Sequence, residues 1–187
     1  MELNQLSVLL AKWLDEQRGI FVFSSMSKDE WLYQNFIEHV LSFTKSPVYK
    51  DTYRSDLSHI EGKSNSIFVD NLMNMKYDWA LDSSMNTYLL HKKLIGDLRE
   101  KLIQNSKVVN SQVIFTPMYH TMDTSQIGTM PGTLTGGSSI IFMADVLGII
   151  YENQFSVQKC RWRNTDEIQD INLKVLLRDL KIDKILK

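Results

Sequence analysis

Lys159 and Arg161 stand two residues apart in a stretch that alternates in character, Phe155-Ser156-Val157-Gln158-Lys159, with Arg161 and Arg163 continuing it. A strand would point both cations to one face, and a forked cationic pair suits reaching a phosphate across an interface. A solvated edge-strand face has the same pattern. Asp70 closes a short apolar run, Ile67-Phe68-Val69, where a carboxylate also serves simply to end a strand and cap a turn. Lys28 lies between an apolar run and a helix start, in Ser24-Ser25-Met26-Ser27-Lys28-Asp29-Glu30. Tyr119, His120, Met122 and Met130 sit in a long segment, 116–138, which has two prolines, four glycines and no Lys or Arg. Connections of that length are functional or disordered more often than not. Lacking cations, this one would have to bind nucleic acid through backbone amides and apolar wedging by residues such as Met118, Tyr119, Met122, Ile127 and Met130. A packed surface loop or a protein-binding loop fits it as well.

The remaining chemistry is thin. The four histidines are scattered, and none has a His or Cys neighbour at metal-ligand spacing. Cys160 is the single cysteine, so no internal disulfide forms, and a small core residue is expected rather than a reactive thiolate. Ser24 and Ser25 lack the Gly-x-Ser-x-Gly setting of a hydrolase nucleophile. Trp13 and Trp31 read as core residues, and Trp162 as a stacking residue if its strand is exposed.

The elements that position these residues alternate between two periodicities. Leu6, Leu9, Leu10, Trp13 and Leu14 predict a helix over about 3–17, stopped by Gly19. Residues 20–23 are a buried-strand run. Ser27 with Glu30 has capping-box spacing, and the helix it opens carries Trp31, Leu32, Phe36, Ile37, Val40 and Leu41 on one face. Strands are expected at 47–49, 66–70, 113–115, 140–142, 146–151 and 155–159, and a helix over 88–103. The tail 171–186 has partial helical spacing. Such alternation predicts an α/β domain with a mostly parallel central sheet flanked by helices.

The chain has 187 residues, 43% hydrophobic and 23% charged, with 21 Lys+Arg against 22 Asp+Glu. One domain is expected: an N-terminal helix over 1–18, a core over 19–163 and a tail over 164–187. The near-zero net charge excludes binding to phosphates by bulk charge alone. No secretory signal and no membrane-spanning run stand out, so a cytoplasmic protein is expected, or a nuclear one if the host is eukaryotic.

Three stretches, in this order, resemble the RecA-type ATPase core. They are nearest to the strand-exchange recombinases, with the hexameric DnaB-type helicases more distant. Residues 67–72 (Ile-Phe-Val-Asp-Asn-Leu) are similar to the Walker B strand. Residues 133–145 resemble the second DNA-binding loop running through Thr135-Gly136-Gly137 into the next strand. Residues 156–161 resemble the strand whose basic residues reach a neighbouring subunit's nucleotide. The resemblance spans about 19–163 and implies a three-layer RecA-like fold. It also implies a magnesium-associated role for Asp70, a trans-interface role for Lys159 and Arg161, and DNA or protein contact by the 116–138 loop.

The departure lies at the phosphate loop. A working P-loop, G-x-x-x-x-G-K-[ST], wraps phosphate with glycine backbone amides and meets it with a lysine. Residues 24–31 contain no glycine, and Lys28 is followed by Asp29 and Glu30. At ~4 Å and an effective dielectric of about 20, one like-charge contact with a triphosphate costs about 4 kcal/mol. The expectation is therefore a degenerate, non-hydrolysing RecA-like protein without an ATP or magnesium cofactor. It would act in DNA recombination, repair or replication by assembling with itself or an active RecA-like partner, and with single-stranded DNA. The alternatives are a RecA-like scaffold subunit of a non-DNA complex and an unconventional nucleotide hydrolase using Lys28 and Asp70.

Overall fold

The computed structural model describes residues 1–17, 19–26, 30–50, 62–63, 65–71, 96, 100, 110–119, 133–134, 138–162, 168, 171–174 and 176. Its elements in chain order are α1 (Leu3–Glu16), β1 (Gly19–Met26), α2 (Glu30–Leu41), β2 (Val48–Lys50), β3 (Ser66–Asn71) and β4 (Asn110–Tyr119). After these come β5 (Thr133–Leu134), α3 (Ser138–Met143), β6 (Val146–Tyr151), β7 (Gln154–Cys160) and β8 (Ile171–Asn172).

The described strands form one eight-stranded sheet in the order β2-β3-β4-β1-β6-β7-β8, with β5 beside β4. Strands β2, β3, β4, β1 and β6 run parallel, and β5, β7 and β8 join antiparallel. The expected mostly parallel α/β sheet is therefore present. Strand β1 lies at its centre and every one of its residues is buried, as an apolar run covered on both faces should be.

Alternation along the strands divides the core in two. Phe21, Phe23, Val113, Phe115 and Val146 face α1 and α2, meeting Leu6, Leu10, Leu14, Leu32 and Phe36. Ile20, Val22, Ile114, Leu147 and Ile149 face the other way, packing with Ala144, Ile141 and Met143 at α3. The backbone N–H of Glu2 donates to Gln5 Oε1 at 3.1 Å at the start of α1. At its end, Ser111 Oγ lies 2.8 Å from the Leu14 carbonyl and 2.6 Å from that of Gln17. The Ser111 hydroxyl, its one proton shared or switching between the two, thereby ties the carbonyl end of α1 to the start of β4.

Several expectations need correction. Residues 138–143 are helix rather than strand: a short apolar run such as Ile140-Ile141-Phe142 does not distinguish the two by periodicity. The 116–138 segment is not all loop, because β4 continues to Tyr119 and β5 returns against it, Met118 opposite Leu134 and Tyr119 opposite Thr133. Met118 is fully buried and so is no wedge. Trp31 is 46% exposed rather than core. Tail residues Ile171 and Asn172 form a strand. The helix expected over 88–103 lies outside the described residues except for Gly96 and Glu100, which are helical.

Strands β6 and β7 form a hairpin closed by Glu152 and Asn153, both at positive φ (50° and 65°), the backbone that a two-residue turn between twisted strands requires. Further along, the pairing slips: Gly148 opposes Val157, but Leu147 opposes Lys159. Gln158 is the extra residue of a β-bulge. Simple alternation would put Lys159 on the α1–α2 side with Phe155 and Val157. The bulge reverses this, so Cys160 packs against that core and Lys159 turns to the α3 side.

Candidate functional site

Two places on the sheet gather the polar residues. The first surrounds Asp145, between α3 and β6. Its Oδ2 accepts the Ile20 N–H at 3.0 Å, its own N–H donates to the Ile20 carbonyl at 2.8 Å, and its carbonyl accepts the Arg161 N–H at 2.8 Å. Arg161 Nη1 donates to Asp145 Oδ1 at 3.2 Å, where the carboxylate side chain is 6% exposed and that of Arg161 61%. Gly19 belongs to this arrangement, since a Cβ there would stand 2.8 Å from Asp145 Oδ2. Lys159 Nζ donates to the carbonyls of Ile141 and Phe142, at 3.0 Å each, in the last turn of α3. A cation there complements the negative end of the helix.

The second place is the carboxyl edge of the parallel strands, where open α/β sheets hold ligands. Strand β1 ends there in Ser24, Ser25 and Met26, beside buried Thr116 of β4, which pairs in register with Ser24. Both serine hydroxyls are fully buried and have no hydrogen-bond partner among the described residues. Buried groups of this kind cost about 1–3 kcal/mol each, so this edge is the more polar one than its packing requires.

The predicted site residues do not converge. Asp70 pairs with Ile114, Ile114 with Val22, Val22 with Leu147, and Leu147 with Lys159. The two residues are thus level but four strand spacings apart, ~19 Å. Within one chain, Asp70 and the Lys159–Arg161 pair therefore do not come together in one site. Lys28, His120, Met122, Met130, Thr135, Gly136 and Gly137 lie outside the described residues, and of Tyr119 and Asp70 only the backbone is described.

Helix α2 opens on Glu30, and residues 24–31 contain no glycine to bring backbone amides to phosphate, with Lys28 followed by Asp29 and Glu30. Among the described residues, no three His, Cys, Asp or Glu side chains are placed to hold a metal ion. No described helix is long and apolar enough to cross a membrane.

Sequence reasoning missed two residues. Asp145 was visible as one carboxylate inside the apolar run 140–151, and its burial against Ile20 explains it. Phe142 is 77% exposed on α3, and no sequence signal distinguishes it from Ile140 and Ile141. Trp162 is no exposed stacking residue: its ring centroid is 5.7 Å from that of Phe21 and 6.4 Å from that of Trp13. No protein-family model matches the chain, and no curated protein matches it either.

Proposed function

We propose that the chain is a degenerate, non-hydrolysing RecA-like protein, three-layered, that acts in DNA recombination, repair or replication through assembly. The observation that carries this reading is the end of β1. The central parallel strand β1 is followed in sequence by a glycine-free stretch with Asp29 and Glu30 before α2, while Asp70 is the next-to-last residue of β3, one strand beyond β4. This arrangement supports the reading of a nucleotide-binding edge that has lost its phosphate grip. Lys159 and Arg161, remote from that edge in their own chain, act at a subunit boundary. The assembly partner is a second copy or a catalytically complete relative, and Phe142, 77% exposed on α3, is a side chain that such a partner would cover.

Fluorescent-oligonucleotide binding at low and moderate salt tests the DNA part of the reading. A measurable salt slope supports it, because each real phosphate contact releases counterions. The absence of cations from 116–138 favours one second reading, a RecA-like scaffold in a complex without DNA. Light scattering that shows a stable assembly, together with no oligonucleotide binding, selects that reading. A monomer that binds neither DNA nor a co-purifying protein defeats both.

A further inference from the structure

We draw no further inference here: the strongest candidate, the pair of fully buried Ser24 and Ser25 hydroxyls at the carboxyl end of β1, belongs to the edge already described, and the two do not converge on one ligand, because neighbouring residues of a strand face opposite sides of the sheet.

Discussion

Asp145 and the backbone of Ile20 are paired twice, the Ile20 N–H donating to Asp145 Oδ2 at 3.0 Å and the Asp145 backbone N–H donating to the Ile20 carbonyl at 2.8 Å. The pair joins the start of the central strand to the junction of α3 and β6, 125 residues later in the chain. It supplies a partner for a buried amide at the sheet's amino edge, where β1 has just begun and its ladder is incomplete.

Asp145→Ala should therefore cost about 2–3 kcal/mol, the penalty of a buried donor left without its acceptor. Asp145→Asn keeps an acceptor oxygen and should cost less than half as much. Arg161→Ala should cost under about 1 kcal/mol, because the guanidinium side is largely solvated. Urea unfolding of the three variants checks the order. Equal losses for Asp145→Ala and Arg161→Ala would show that the ion pair, and not the amide contact, is what matters.

Gly148→Ala should destabilise. A Cβ at Gly148 would lie 2.6 Å from two ring carbons of Phe155 and 2.7 Å from one of Phe23. The crowding costs about 1–3 kcal/mol and exceeds the roughly 0.4–1 kcal/mol that alanine gains by restricting the unfolded chain. A raised melting temperature would contradict this.

Trp162→Ala should lose roughly 3 kcal/mol by emptying the space beside Trp13 and Phe21. Oligonucleotide binding measured on the folded fraction should stay unchanged, since the ring is engaged inward. Selective loss of DNA affinity with intact stability would reverse that assignment.

Ser24→Ala and Ser25→Ala should be neutral or stabilise by up to about 1 kcal/mol, because each removes a buried hydroxyl with no partner among the described residues. Thermal melts suffice as the measurement. A loss above about 1 kcal/mol would mean that the hydroxyls are hydrogen-bonded.

Phe142→Ser should leave the unfolding free energy within about 0.5 kcal/mol, as for an ordinary surface change, and should shift light scattering toward the monomer. Unaltered scattering by an assembled protein would remove Phe142 from the assembly surface.

How far these features could be read from the sequence depended on whether local pattern or distant contact decided them. The helix periodicity of Leu6, Leu10 and Leu14 and the run Ile20-Phe21-Val22-Phe23 are local, and α1 and β1 formed where expected. The Ile140-Ile141-Phe142 run was ambiguous, and tertiary placement beside β1 made it helix. Asp145 is one charge in the apolar run 140–151, but nothing local gives its role, because its partner, Ile20, lies 125 residues away in sequence. Alternation correctly grouped Lys159 with Arg161; the side of the sheet they occupy was invisible, because the bulge follows from pairing with β6. Tyr119 and Thr133 looked like loop residues, and only their mutual pairing makes them strand.

The bulge at Gln158 gives the β6–β7 hairpin a parity. Between the Glu152–Asn153 turn and Arg161, one residue more or fewer swaps inside for outside, driving two cations into an aromatic core and expelling Cys160 and Trp162. Two residues more or fewer would lengthen or shorten the hairpin and preserve the arrangement. Length variation in this arm is tolerable in even steps, and an odd step is a folding lesion even where every substituted side chain is innocuous.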